Sequence, residues 1–400
     1  MTEHTTKIFF FYTILALVLT LLYLSNIIGF IPSAPTSLKI LGLTVCFIFC
    51  IRKNIRIYWP VFSLLVYIAF NLLCLQPDSV FRPFDRFFSF TILLAIISPL
   101  FQNRHFVAFR KECFKFTILI CTTLCIASFF AYFMGINMAR NEAGDILEYA
   151  EYAGAFGGFT KHSMLLAPIS GVACCFLLTS YLVKKKIIYF ILLLFAIGAV
   201  LFAASRSAFA AVICALSVIL FINANSKKTF LKWTFIICFL GGVSFPFWSH
   251  GLDRLKMKQD NNTELGTFGS RTQKYGSRIR EFTQSPIIGI GFSTVDPNGD
   301  DLYQRETGTV EPGSSWLAVL SMTGIIGFFF ISFLFFDSYK IVAGYGDLFQ
   351  KSLAAGILTF FLIHMIAEGY IYASGSPLAY ILWLAIGYAV DTKYKYSHDF

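Results

Sequence analysis

IIYFILLLFAIGAVLFAASRSAFAAVICALSVILFI, residues 187–222, carries a single charged side chain, Arg206. The run is long enough to cross a hydrocarbon core of ~30 Å twice. It therefore reads as two membrane spans that meet at Ala203-Ala204-Ser205-Arg206-Ser207. Arg206 either marks the turn between these helices or is held near the membrane surface inside a bundle. An arginine at that depth is costly without a counter-charge and is functional by default, a snorkelling anchor being the structural alternative.

The rest of the chain repeats this pattern. Of its 400 residues 57% are hydrophobic and 14% charged, and the mean hydropathy is +0.70. Such a composition is that of an integral membrane protein. Apolar runs near the length of a span recur about twelve times, at residues 8–30, 36–51, 57–75, 85–101, 114–135, 163–183, 187–204, 207–224, 230–248, 314–337, 350–371 and 376–390. The expected fold is an all-α polytopic membrane protein, read as one membrane domain over residues 1–400.

Short loops orient it, because Lys and Arg concentrate on the cytoplasmic side. Arg52/Lys53/Arg56, Arg104/Arg110/Lys111, Lys184/Lys185/Lys186, Lys227/Lys228, Lys340 and Lys393/Lys395 fall in alternate connections. Both termini are then cytoplasmic. The outer loop 136–162 and a large loop, 249–313, between the ninth and tenth spans face the other side. These anchors account for most of the net charge of +10, and no nucleic-acid partner is needed. The first apolar segment reads as a mature helix rather than a signal peptide. The ten cysteines are scattered through the spans without metal or disulfide spacing and read as small packing residues.

The large loop is where a binding site or chemistry is expected. Within it Arg271, Lys274 and Arg278 follow at offsets of three and seven, inside roughly a 60° arc of a helix. Phe268, Tyr275, Ile279 and Phe282 occupy the neighbouring sector, which suits a helix lying on the membrane surface with a cationic edge turned to a lipid-borne phosphate. A solvated amphipathic helix is the plainer reading. A guanidinium gives two parallel bonds to phosphate oxygens, so Arg206, Arg271 and Arg278 are the candidate diphosphate ligands.

Other polar residues mark the same side. Lys161 and His162 stand at the entrance to the sixth span, where His162 is either a general base or an interfacial polar group. His364 and Glu368 are spaced i, i+4 on the eleventh span. Glu311 and Ser314 sit at the entrance to the tenth. His162, Glu311 and Glu368 are thus the candidate bases, and Arg82, Lys161, Lys274 and Ser314 the secondary substrate contacts. Arg82 and Arg86, in Arg82-Pro83-Phe84-Asp85-Arg86, suit an anionic glycan or form a salt-bridged turn. Asp296, Asp300 and Asp301 lie among Pro, Asn and Gly and read as a surface turn, so no metal site is expected. There is no phosphate-binding GxxxxGK[ST] motif, which disfavours an ATP-driven machine.

Taken in order, these motifs resemble the O-antigen ligase and O-antigen polymerase superfamily, membrane enzymes similar to C-type glycosyltransferases. The likeness covers about the C-terminal two thirds. It rests on Gly157 to Leu166 with His162, on Ser205-Arg206, and on Ser270-Arg271 followed by Pro286-Ile287-Ile288-Gly289-Ile290-Gly291. Arg278 to Gly289 fits the arginine, ten residues, glycine pattern of polymerases. Ligases of this family usually carry His-Asn, nine residues, then glycine; Gly313 and Ser314 stand at those positions here, with Gly324 closing the pattern. The resemblance therefore implies a polymerase of undecaprenyl-diphosphate-linked oligosaccharides, acting on an acceptor glycan at the periplasmic face of the bacterial inner membrane without a cofactor. Its other implied partner is membrane lipid, and a separate chain-length regulator is compatible with such a reaction. A ligase using another base is the nearest alternative. A transporter of lipid-linked oligosaccharides is disfavoured because the notable cations gather at one face rather than at mid-depth.

Overall fold

A computed structural model describes residues 3–51, 54–139, 156–224, 226, 228, 231, 269–296, 303–304, 309–310 and 313–397. Among them the long elements are helices: α1 (Glu3–Leu24), α2 (Thr36–Cys50), α3 (Trp59–Leu75), α4 (Pro83–Ile97), α5 (Arg104–Phe133), α6 (Ser163–Lys184), α7 (Ile187–Phe202), α8 (Arg206–Asn223), α9 (Gly269–Gln284), α10 (Ser315–Tyr345), α11 (Leu348–His364) and α12 (Pro377–Ser397). Every described helix except α9 overlies an expected apolar run. Four of them, α5, α6, α8 and α10, are by length and composition able to cross a membrane. The run at 230–248 lies outside the described residues.

Several helix boundaries depart from the sequence reading, among them the end of α1, six residues early, and the ends of α10 and α12, eight and seven residues late; two departures have a visible cause. The helix α5 begins ten residues early, at Arg104, because Asn103 caps it, its side chain accepting from the His105 and Phe106 amides. The helix α11 ends at His364, so Glu368 is not on a helix with it. The hydroxyl of Ser315 explains the stop: it donates to the Glu368 carbonyl and accepts from the Tyr370 amide, holding 365–371 as a loop.

The helices pack through small residues. The most extensive pairing joins α8 and α11, where Gly356 lies against Ile219. At one end of the bundle, short strands Arg56–Ile57 and Phe101–Gln102 pair. There Arg110 is fully buried: Nε and Nη2 meet the two Asp391 oxygens at 2.8 and 2.6 Å, and Nη1 meets the Ser98 and Phe101 carbonyls.

The opposite end is built around a broken helix. Within α10, Gly324 takes φ 64° and ψ −168°, a left-handed conformation that suits only glycine. The helix opens there and leaves carbonyls and amides without partners in their own helix. The turn Pro286–Gly291 inserts and satisfies them: the Ile290 and Gly291 amides donate to the Ser321 and Met322 carbonyls, and the Ile325 amide donates to the Pro286 carbonyl at 2.9 Å. Asn71 of α3 pins the turn from the other side, donating to the Ile288 carbonyl (2.7 Å) and accepting from the Phe292 amide (2.9 Å).

Candidate functional site

A cleft of about 1180 Å³ opens at this end, walled by the 26–40 connection, the start of α4, residue 293, the first turns of α10 and the 369–376 loop. It exceeds the ~300–1,000 Å³ of an ordinary small-molecule pocket. Among the described residues Lys39, Arg82 and Arg86 line it together with one carboxylate, Asp85. Serine hydroxyls come from several segments, among them Ser33, Ser89, Ser293, Ser374 and Ser376, and Tyr370 and Tyr372 add aromatic faces. A cationic, hydroxyl-rich and partly aromatic wall suits an anionic glycan.

Each cation is positioned differently. Arg82 pairs in the open with Asp85 at 2.7 Å, three residues on, and contributes little to stability there. Arg86, on the next turn, donates to Ser293 Oγ at 3.2 Å and so ties α4 to the inserted turn. Lys39 is 2% exposed; its Nζ donates to the Gly375 carbonyl (2.9 Å) and lies 5.4 Å from the centre of the Tyr23 ring. Lys161 Nζ stands behind the wall, on the Ser25 carbonyl (2.9 Å) and Ser33 Oγ (2.7 Å).

Arg278 lies one residue behind the wall at two places. Its Nη1 donates to Glu281 Oε2 (2.8 Å), Ser321 Oγ (3.0 Å) and the Thr294 carbonyl (3.3 Å), next to cleft residues Met322 and Ser293. Both members of the ion pair are buried, and Glu281 Oε1 also accepts from the Asp296 amide. Burial lowers the Arg278 pKa and the Glu281 carboxylate opposes that shift; a guanidinium nevertheless stays charged. Unlike Arg110, which is equally buried, Arg278 keeps two nitrogens, Nε and Nη2, without a hydrogen-bond partner among the described residues.

The cationic arc expected on α9 therefore turns inward at Arg278, with Ser277 and Glu281, against α10, while Ile279 faces out at 51% exposure. Lys274 packs against Gly313, and Tyr275 donates to the Ile366 carbonyl. The Arg271 side chain and Glu311 lie outside the described residues. Arg206 opens α8 after the Ser205 cap and is exposed; it is not among the residues lining the cleft. His162 caps α6, its Nδ1 accepting from the Met164 amide at 3.1 Å. Ser314 caps α10, is buried, and donates to the Met365 carbonyl. Glu368 is half-buried and immediately precedes Gly369, a lining residue. His364 is buried, 3.1 Å from the Tyr370 hydroxyl and stacked on Phe360.

Lys39 was missed by the sequence reading. Its signal is a lone cation three residues inside an apolar run, the same kind of signal that singled out Arg206.

Residues 190–332 match a family model described as O-Antigen ligase. That segment is similar to the O-antigen ligase/polymerase family, whose members are glycosyltransferase-like enzymes. It includes Arg206, Arg271, Arg278, Glu281, the inserted turn and the break at Gly324, whereas Lys39, Arg82, Arg86 and the 369–376 loop lie outside it. No curated protein sequence matches the chain.

Proposed function

With residues 190–332 carrying an O-antigen ligase domain as the premise, we propose that the protein polymerises undecaprenyl-diphosphate-linked oligosaccharide repeat units at the periplasmic face of the bacterial inner membrane. The observation that carries this reading is the cleft: Lys39, Arg82 and Arg86 face a space large enough for a glycan and its diphosphate.

In the reaction, an acceptor hydroxyl attacks the anomeric carbon of the donor sugar. The bond from that carbon to the diphosphate oxygen breaks, the diphosphate leaves on its carrier with the electron pair, and the configuration inverts. Charge builds on the leaving group, where preorganised donors give the largest gain. Arg86 and Lys39 supply them from the cleft, Arg206 and Arg271 meet the carrier diphosphate, and Arg278 supports the wall from behind with two donors in reserve. The acceptor proton passes to Glu368, the candidate base next to the cleft.

A polymerase is favoured over a ligase by Gly313, at the position where ligases carry histidine. Its φ is 68°, and a Cβ there would lie 3.0 Å from Lys274 Cβ. That backbone and the close Lys274 side chain favour glycine over a side-chain-bearing residue there.

The test is the size distribution of surface and carrier-linked glycans from a strain lacking the protein. Single repeat units on the surface acceptor, with long chains lost, are expected. Full-length chains stranded on the carrier would instead identify a ligase.

A further inference from the structure

A second cavity lies away from the cleft, between α5, α6, α7, α11 and α12. It holds about 830 Å³ and is lined mostly by apolar side chains, including Phe114, Ile118, Leu119, Phe176, Phe349 and Leu353. From Lys111 to Ala127 it follows α5 for about 24 Å at 1.5 Å per residue, most of a ~30 Å hydrocarbon core. An apolar groove of this length along a membrane helix has the dimensions of a lipid chain.

Its charge is confined to one end. Lys111 and Lys115 line that end, and Lys184 Nζ lies 5.6 Å from the centre of the Phe349 ring, which lines the groove too. Two carboxylates lie nearby: Glu112 is buried and bound to Lys115 at 2.6 Å, leaving two of the three ammonium hydrogens for a further acceptor, and Asp347 caps α11, accepting from the Gln350 amide while keeping its charge. Among the described residues the cations Lys111, Lys115 and Lys184 thus outnumber the acids Glu112 and Asp347 at the mouth, on the side that the Lys and Arg pattern assigns to the cytoplasm. A basic pocket between membrane helices on that side recognises anionic lipid headgroups.

We propose that this groove is a binding site for an anionic glycerophospholipid of the cytoplasmic leaflet, its phosphate on Lys111 and Lys115 and one acyl chain along α5. The site lies apart from the glycan cleft, and lipid binding is measured without glycan transfer, so it stands or falls independently of the polymerase reading.

The experiment is native mass spectrometry of the full-length protein, delipidated in detergent and titrated with phosphatidylglycerol or phosphatidylcholine. Phosphatidylglycerol is expected to bind with a preference that falls about fivefold for each lysine neutralised in Lys111→Gln and Lys115→Gln. Thr123→Phe, which leaves both lysines and narrows the groove, is expected to reduce binding of both lipids. Equal binding of the two lipids by the wild type, or an unchanged preference in the double lysine variant, would overturn the headgroup assignment. Undiminished binding by Thr123→Phe would overturn the groove as the seat of the chain.

Discussion

The buried pair Arg278–Glu281 separates structural from functional roles through a double-mutant cycle. Removing the guanidinium in Arg278→Met deletes all three Nη1 hydrogen bonds and strands Glu281, itself 1% exposed. Breaking a buried pair from one side costs about 3–5 kcal/mol. Glu281→Gln alone leaves a buried cation facing a neutral amide and is expected to cost a similar amount, although its carbonyl can still accept from the Asp296 amide. The double variant removes both charges, so most of the summed single-variant penalty, about 6–10 kcal/mol, is expected to return as coupling energy. Stability is read from thermal unfolding of purified protein and function from the glycan ladder of a complemented deletion strain. The double variant is expected to be near wild type in stability yet to make little polymer, because Nε and Nη2 of Arg278 have been lost with the charge. A double variant with normal stability and a normal ladder would refute the reasoning and leave Arg278 with a purely structural role.

Four further outcomes are expected. Arg206→Ala and Arg271→Ala each abolish polymer at normal membrane abundance, and Lys at either position restores it only in part, since an ammonium lacks the bidentate fork; a complete ladder from either alanine variant counts against a diphosphate contact. Asn71→Leu leaves the Ile288 carbonyl and the Phe292 amide without their Asn71 partner, lowering stability by about 1–3 kcal/mol for each in thermal unfolding. Gly324→Ala places a Cβ 2.2 Å from the Ile287 carbonyl oxygen at a positive φ, so it displaces the inserted turn, and both melting temperature and polymer yield fall. Glu368→Gln lowers the transfer rate by about 10²-fold or more while leaving glycan binding intact, which initial-rate assays in proteoliposomes can separate.

The helices were largely legible in the sequence, because a bilayer demands long apolar runs and each such run leaves a strong one-dimensional signal. The α7–α8 turn is a case in point: Ser205-Arg206 interrupts the run, and Ser205 caps α8 with its hydroxyl. What escaped the sequence depends on partners far along the chain. Residues 350–371 read as one span, yet a single hydroxyl from Ser315 holds the segment after His364 as a loop and moves Glu368 off the helix. The apolar stretch around Gly324 looks like ordinary span sequence, and its break depends on a turn some thirty-five residues earlier. The periodicity on α9 grouped Arg271, Lys274 and Arg278 on one face but could not say what that face meets; α10 and the inserted turn draw Arg278 inward. Lys39 shows the converse, for its signal was present and its partner, the Gly375 carbonyl, lies 336 residues away.

The broken helix also bears on how the chain enters the membrane during synthesis. Ser315–Thr323 is nine residues, about 14 Å of helix, whereas Ile325–Tyr345 measures about 32 Å. Only the second piece is long enough to be released sideways into lipid as an independent segment. The first piece has unmet carbonyls at Ser321 and Met322 until the 286–291 turn folds onto it. That turn precedes the span in the chain, so it is synthesised first and its partners follow. This part of the cleft wall therefore closes only once both the turn and the first piece of α10 have been made, and a chain halted just after Tyr345 already contains every residue of this turn-to-helix junction.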